Sequence, residues 1–155
     1  MFRAARPEEA GPLRDLERAA NLVALAHVFP PERYPFPDDD VLTRWSLLLD
    51  DPEVCVRVAE DDQGLTCLVA YDAGTLRHLA VRPDHWGRGL ASAGVRRAVE
   101  AIAARGSRVA GLWCLEENHR ARRVYEHLGW EPAAERREAP WPPYPTEMRY
   151  ERAVP

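Results

Sequence analysis

The stretch that decides the fold is Val81-Arg82-Pro83-Asp84-His85-Trp86-Gly87-Arg88-Gly89-Leu90-Ala91-Ser92, which lies at residues 81–92 of the 155-residue chain. An apolar strand ends at its first residue, the chain turns at the glycines, and an amphipathic helix follows as far as Ala104. Gly87, Gly89 and Ala91 leave backbone N–H groups uncovered at the helix start, where unpaired donors and the helix dipole both favour an anionic phosphate. A glycine-rich turn without a ligand is the alternative, because short glycine motifs are common.

The residues before this turn predict a strand, two helices and a three-stranded meander. Apolar residues recur at helical spacing after Pro7, and three valines between 54 and 58 alternate with other residues as is typical of a strand. The three aspartates at 38–40 are expected to cap the second helix. The predicted elements are a strand at 2–6, a helix from Pro7 towards Val28, a helix at 41–49, and strands at 54–59, 65–71 and 75–81.

The residues after the turn predict two helices and three strands. The predicted elements are a helix at 89–104, a strand at 109–115, a helix that opens at Asn118, a strand from Trp130 and a strand at 148–154. Strands and helices are interspersed along the chain. We therefore predict a single α/β domain over residues 1–155, with a mixed central sheet of about seven strands and helices on both faces.

The composition excludes several kinds of chemistry. All 21 basic residues are arginine, so a P-loop lysine, a Schiff-base lysine and a lysine general base are ruled out. The formal net charge of −4 argues against general binding of nucleic acid. The histidines lack the grouping that metal ligands need, so no metal is expected.

The expected location is the cytoplasm, without a membrane partner. The three cysteines, Cys55, Cys67 and Cys114, are scattered and form no C-x-x-C pair, which predicts reduced thiols. The first residues do not read as a signal peptide. The longest apolar stretch, at 22–29, is too short to span a bilayer.

A second motif starts about thirty residues after the glycine turn, at Asn118-His119-Arg120-Ala121-Arg122-Arg123-Val124-Tyr125-Glu126-His127-Leu128-Gly129-Trp130. Its pattern is N-x-x-A-x-x-x-Y-x-x-x-G-W. Together with the turn, which is similar to V-x-P-x-x-[QR]-x-x-G-x-[GA], it resembles the GNAT superfamily of acetyl-CoA-dependent N-acetyltransferases. One departure is visible, because Trp86 stands where that family usually has glutamine or arginine.

The resemblance implies acetyl-CoA as co-substrate and a sheet that is splayed between the fourth and fifth strands. The cofactor arm would lie in the gap, with its pyrophosphate on the backbone of the glycine turn. The residues expected to bind the cofactor are Leu79, Ala80, Val81, Trp86, Gly87, Arg88, Gly89, Leu90, Ala91, Ser92, Asn118, Ala121 and Tyr125. Arg122 or Arg123 could pair with the 3′-phosphate of the cofactor. The alternative is that both only form a solvated basic face of the helix.

The resemblance also implies a direct attack of an amine on the thioester, without an enzyme nucleophile. Tyr125 is expected to be the general acid that protonates the departing thiolate. His78 is the candidate general base, because its ordinary pKa suits the role. Strand alternation would, however, turn it away from its neighbours Leu79 and Val81. Glu60, Asp72 and a water relay are the alternatives.

In the family that the motifs resemble, two loops build the acceptor pocket, and here they are Phe29–Pro37 and Ala139–Thr146. Both loops are stiffened by prolines and carry aromatic residues, which suggests a partly apolar pocket for a small amine. The expected wall residues are Tyr34, Phe36, Trp141 and Tyr144. Nearby acids, Asp38, Asp39, Asp40 and Glu138, could attract a cationic amine or could only cap and solvate.

The sequence therefore favours an N-acetyltransferase that moves the acetyl group of acetyl-CoA to a primary amine of a small molecule. Acetylation of a protein or peptide is one alternative, although it needs a more open groove. A non-catalytic CoA-binding regulatory module is another, and Asn118, Ala121 and Tyr125 argue against it. The resemblance also allows a homodimer.

Overall fold

The computed structural model describes residues 1–155, which form seven strands and four α-helices. The strands are β1 (Arg3–Ala4), β2 (Cys55–Asp61), β3 (Gly64–Tyr71), β4 (Leu76–Val81), β5 (Val109–Leu115), β6 (Glu131–Glu138) and β7 (Thr146–Ala153). The helices are α1 (Ala10–Ala24), α2 (Asp38–Asp50), α3 (Leu90–Ala104) and α4 (His119–His127). Short 3₁₀ turns at Pro7–Glu9 and Pro83–His85 precede α1 and the glycine turn.

The strands form two sheets rather than one continuous sheet. One has the order β1-β2-β3-β4 and the other the order β5-β7-β6, and all pairs within them are antiparallel. A single parallel bridge between Thr75 and Gly111 joins β4 to β5, supported by the Gly111 N–H, which donates to the Gly74 carbonyl at 2.9 Å. Beyond this bridge the two strands are not hydrogen-bonded to each other.

Helices cover both faces, which confirms the predicted α/β fold class. Strand β3 lies between β2 and β4 and is buried on both faces. Val69 and Tyr71 pack with α3 and β5 on one face, and Leu68 and Ala70 pack with α1 and α2 on the other. A strand covered on both faces needs a continuous apolar sequence, and residues 65–71 supply it.

The start of α2 differs from the prediction that 38–40 are caps. The helix begins at Asp38 itself, after Pro37, and no side chain caps it. The three aspartates therefore lie inside the first turn, where their negative charge favours the positive end of the helix dipole. Asp38 also accepts a hydrogen bond from Arg18 at 2.5 Å.

The edge strand β6 is the most exposed strand of the fold. Almost every one of its residues is solvent-exposed, and its register with β7 shifts between Pro132 and Arg136. Three residues of β6, 133–135, lie opposite the single residue Arg149 of β7 there, next to a proline that cannot donate a ladder hydrogen bond. The loop from Ala139 to Pro145 then returns the chain to β7.

Candidate active site

A cleft of about 260 Å³ opens where β4 ends, and we call it the β4 cleft. The missing pairing between β4 and β5 leaves this space between the end of β4, the glycine turn and α4. Its lining comes from α1 (Ala20, Asn21, Ala24), β4 (79–81), the turn and α3 (85–87 and 89–92), and α4 with its cap (Asn118, Arg120, Ala121, Val124, Tyr125). The structure thus brings together all the residues predicted to bind the cofactor except Arg88, which does not line the cleft.

The glycine turn adopts the conformation that an anion site requires. Gly87 and Gly89 have φ angles of 80° and 82°, in the left-handed region that other residues adopt only with strain. Gly89 is the N-cap of α3 and offers no side chain to the first N–H groups of the helix. Those donors therefore remain free to face the cleft, where the helix dipole adds positive potential.

Trp86 fastens the turn to the end of β4. Its indole N–H donates to the Val81 carbonyl at 2.8 Å, and the Arg120 guanidinium lies 3.9 Å from the centre of its ring. Through this cation–π contact, Arg120 at the start of α4 packs against the glycine turn. Trp86 stands where the motif usually has glutamine or arginine, and its side chain connects the turn to β4 and α4. The positive charge of the cleft wall comes from Arg120 instead.

Ion pairs hold the outer side of the same turn. The Arg82 guanidinium donates to Asp61 and to Asp84, both at 2.7 Å, and the His85 ring lies 3.2 Å from Asp61. The Arg82 hydrogen bond is the main cause that lowers the pKa of Asp84 to about 2. His85 also lines the β4 cleft, but the contacts of its ring are with Asp61 and Asp84 of this network.

Tyr125 lies on the inner face of α4 with 8% of its surface exposed. Its ring centre is 6.1 Å from those of Trp130 and Tyr150, and its hydroxyl bonds to no other group of the chain. Burial raises the pKa of this hydroxyl well above its ordinary value, and the neighbouring Cys114 thiol adds to the effect. The hydroxyl thus keeps its proton at neutral pH and remains free to donate it.

Asn118 begins α4, as the motif predicts. Its side-chain oxygen accepts a hydrogen bond from the Ala121 N–H at 3.2 Å, which makes it a capping residue. The amide NH₂ group is not used within the chain, so it can still donate to a ligand in the cleft.

His78 does not lie in this cleft. Strand alternation turns it away from Leu79 and Val81, towards α1 and α2, and its ring packs 5.2 Å from that of Trp45. Burial, together with the charges of Arg44 and Arg77, lowers its pKa well below 6.5. The two carboxylates considered as alternatives are also elsewhere: Glu60 accepts from Arg3 on the β1 side, and Asp72 accepts the N–H groups of the turn before β4.

Arg122 is likewise engaged away from the cleft. It donates to the Tyr150 hydroxyl and to the Glu116 carbonyl, both at 3.1 Å. Arg123 is exposed. Neither lines the β4 cleft, and the arginine of α4 that does so is Arg120.

A second cleft, of about 400 Å³, lies between the two proline-rich loops, and we call it the loop cleft. Its walls include the predicted aromatic residues Tyr34, Phe36 and Trp141. Tyr144 does not line it, because a positive φ of 59° turns the loop there and leaves this side chain 53% exposed. The remaining lining residues are Glu17, Asn21, Leu22, Leu25, Phe29, Arg33, Pro35, Pro37, Val41 and Pro142.

The two clefts share one lining residue, Asn21, and we call this place the junction. Sequence reasoning missed this residue together with Glu17, Arg33 and Arg120. For Asn21 and Glu17 the sequence does hold a signal, which is their spacing. They are four residues apart and therefore lie on one face of α1, beside its buried residues.

The cysteines have no catalytic environment. Burial raises the pKa of Cys67 and of Cys114 to about 12, so neither forms a thiolate at neutral pH. No three histidine, cysteine, aspartate or glutamate side chains cluster as metal ligands would. None of the helices combines the length and the apolar character that crossing a bilayer requires.

The chain is similar in sequence to a known acetyltransferase. It is 34% identical over 119 residues to the mycothiol acetyltransferase of Beutenbergia cavernae. The match covers 73% of this chain and 40% of that protein, so the chain spans less than half the length of this curated relative.

Solved structures show the same fold. The PaiA N-acetyltransferase of Thermoplasma acidophilum, in complex with coenzyme A, matches with a TM-score of 0.76 at 12% identity, over 99% of this chain and 98% of that one. The ribosomal-protein-S18-alanine N-acetyltransferase of Escherichia coli matches with a TM-score of 0.73 at 17% identity, over 99% and 93%.

The family itself follows from the sequence match. The model of the acetyltransferase (GNAT) family matches residues 19–130, which contain both motifs, the β4 cleft and much of the loop cleft. Since this range is well over half of the chain, the protein belongs to the acetyltransferase (GNAT) family.

Proposed function

We propose that the protein transfers the acetyl group of acetyl-CoA to the amino group of a small molecule. The observation that carries this proposal is that Asn21 lines both a cleft suited to a phosphate-bearing cofactor and a second, aromatic cleft beside it. Membership of the acetyltransferase family supports acetyl-CoA as the occupant of the first cleft. The second cleft is then the acceptor site.

The residues of the β4 cleft fit the cofactor. The backbone of β4 at Leu79, together with the Val81 N–H, has no partner on β5 and can hydrogen-bond an amide-containing arm in the way a neighbouring strand would, whereas the Val81 carbonyl already accepts from Trp86. The free N–H groups at the start of α3, with open space around Gly87 and Gly89, can hold the pyrophosphate. Arg120 adds a positive charge beside them.

Acetyl-CoA supplies an acetyl group activated as a thioester. In the transfer, the amine nitrogen forms a bond to the acetyl carbon and the carbon–sulfur bond breaks. A backbone N–H steadies the carbonyl oxygen, where negative charge develops. Tyr125 gives its hydroxyl proton to the departing sulfur and takes a proton back from solvent. No cysteine nucleophile is needed, in keeping with the raised pKa values of Cys67 and Cys114.

Water takes the proton from the ammonium group of the acceptor. His78, Glu60 and Asp72 line neither cleft. Glu17 lines the loop cleft but already accepts from Trp45 and Arg44. Water at the junction can reach the amine, because both clefts are open to solvent.

The test is a free-thiol release assay with acetyl-CoA, across a panel of small amines and N-terminal peptides, with product mass measured in parallel. The mass measurement distinguishes acetyl transfer from any thiol signal of the protein itself, whose Cys55 is free and partly exposed. We expect thiol release and an acetylated product with small amines, and much slower release with peptides.

Three results would contradict this proposal. Tight binding of acetyl-CoA without release for any amine would indicate a regulatory CoA-binding module. Faster release with peptides than with small amines would indicate a protein acetyltransferase. Absence of acetyl-CoA binding would remove the cofactor from the proposal altogether.

A further inference from the structure

The loop cleft contains one charged side chain without a partner. Arg33 lines this cleft, and it makes no salt bridge and no side-chain hydrogen bond within the chain. Its guanidinium lies 5.6 Å from the ring centre of Tyr34, another wall residue. The contact holds the cation against the aromatic wall but leaves its five N–H donors free.

The only carboxylate that lines the loop cleft, Glu17, is already paired with a cation of the chain. Glu17 accepts a hydrogen bond from the Trp45 indole N–H at 2.8 Å and also pairs with Arg44. Only 14% of the Glu17 side-chain surface is exposed. A carboxylate held in this way attracts a second cation weakly, so the free charge presented to a ligand is the positive charge of Arg33.

The other acids near the loops do not change this balance. Asp38 accepts from Arg18 and lies close to Arg14, whereas Asp39, Asp40 and Glu138 do not line the cleft. The sequence-based idea that these acids attract a cationic amine therefore finds no carboxylate free for that role inside the cleft.

We propose that the acceptor is an amine that also carries a carboxylate, with the carboxylate bound by Arg33 and an apolar body packed between Phe36 and Trp141. Asn21 lines both clefts, whereas Arg33 lines the loop cleft alone. An acceptor held by Arg33 can therefore present its amino group at the junction. Arginine suits this role because its planar guanidinium binds a carboxylate through two parallel hydrogen bonds.

This inference rests on the proposed function in one respect, because it takes the loop cleft to be the acceptor site. Binding and turnover can nevertheless be measured separately. The probes are four amines that carry a carboxylate, namely phenylalanine, methionine, 4-aminobutyrate and 4-(aminomethyl)benzoate, each paired with its carboxamide. Each pair keeps the amine and the apolar body and replaces the negative carboxylate with a neutral amide.

Calorimetric titration of the protein saturated with CoA gives the binding constant of each probe. We expect at least one acid to bind roughly tenfold or more tightly than its amide, since a hydrogen bond to a charged group is the stronger kind. Arg33→Gln should bring this ratio to within about twofold. Arg97→Gln, at an exposed and unpaired arginine of α3 outside both clefts, should leave it unchanged.

The proposal is overturned if no acid binds more tightly than its amide, or if the preference persists in Arg33→Gln. The thiol-release assay separates this failure from that of the proposed function. Release with neutral amines and no preference for acids would leave the acetyltransferase standing without the carboxylate site. An Arg33-dependent preference in binding, without release for any probe, would leave the ligand site standing without the activity.

Discussion

At the scale of single residues, Tyr125 combines a buried ring with a hydroxyl that no other group of the chain uses. The ring packs against Trp130 and Tyr150, and this packing does not need the oxygen. The chemistry that we propose needs only the oxygen. The two contributions can therefore be separated by one substitution.

Tyr125→Phe keeps the ring and removes the proton donor. We expect turnover to fall about tenfold or more, because the departing thiolate loses its acid, while acetyl-CoA binds as before. Steady-state kinetics and calorimetric binding measure the two effects, and the melting temperature checks that the fold is intact. Turnover equal to that of the wild type would remove Tyr125 from the mechanism.

His78 offers a prediction for stability rather than catalysis. Because its pKa is lowered in the folded state, the unfolded chain binds a proton near pH 6.5, whereas the folded chain binds it only at lower pH. The free energy of unfolding therefore loses up to about 1.4 kcal/mol per pH unit as the pH falls below 6.5. His78→Gln should remove this part of the slope, as measured by urea denaturation between pH 7.5 and 5.

The same variant tests the candidate base. Since His78 is packed against Trp45 and lines neither cleft, we expect the pH–rate profile of His78→Gln to match that of the wild type. A lost inflection in that profile would restore His78 to the proton path and would contradict our assignment to water.

At the scale of the elements, the helix α3 depends on how its first turn is entered. Gly89 has a left-handed backbone, and a side chain there would strain the chain although the space around it is open. Gly11, inside α1, also has open space but an ordinary helical backbone. The two glycines form a matched pair.

Gly89→Ala should lower the free energy of unfolding by about 1–2 kcal/mol, the cost of a left-handed alanine. It should also weaken acetyl-CoA binding, because the turn shifts the donors at the start of α3. Gly11→Ala should instead stabilise the protein by about 0.5 kcal/mol without changing that affinity. Denaturant unfolding and calorimetry distinguish the two. Equal effects would show that the backbone of the turn is not a constraint.

The sequence predicts elements better than it predicts what they bring together. Periodicity locates β5 at 109–115 and α3 within one residue, because their apolar patterns are strong. The spacing of Glu17 and Asn21 places them on one face of α1, but which clefts they line is set only when α1 packs over β4. The final orientation of Tyr144 was equally hidden, because it depends on the backbone of a proline-rich loop.

At the scale of the whole molecule, one bridge between Thr75 and Gly111 joins the two sheets directly. Helix α3 supplies further contact, because it packs on the shared core that contains Val69 and Leu112. A ligand that hydrogen-bonds the end of β4 would take the place of part of the missing pairing.

Saturating acetyl-CoA should therefore slow amide hydrogen exchange at Leu79–Val81 and in the first turn of α3, and should raise the melting temperature. A ligand at one hundred times its dissociation constant stabilises the folded state by about 2.7 kcal/mol. Amides of the distant strand β6 serve as the internal control. Protection that is uniform over the whole chain, or absent from β4, would contradict the proposed position of the cofactor.

The exposed strand β6 has a consequence for behaviour at high concentration. An unpaired strand edge is a template on which other chains can add strands and begin to aggregate. Here the register shift between Pro132 and Arg136 interrupts the ladder, and the strand carries five charged residues, Glu131, Glu135, Arg136, Arg137 and Glu138. Both features oppose the stacking of one copy on another, so this edge protects the protein from fibrous assembly.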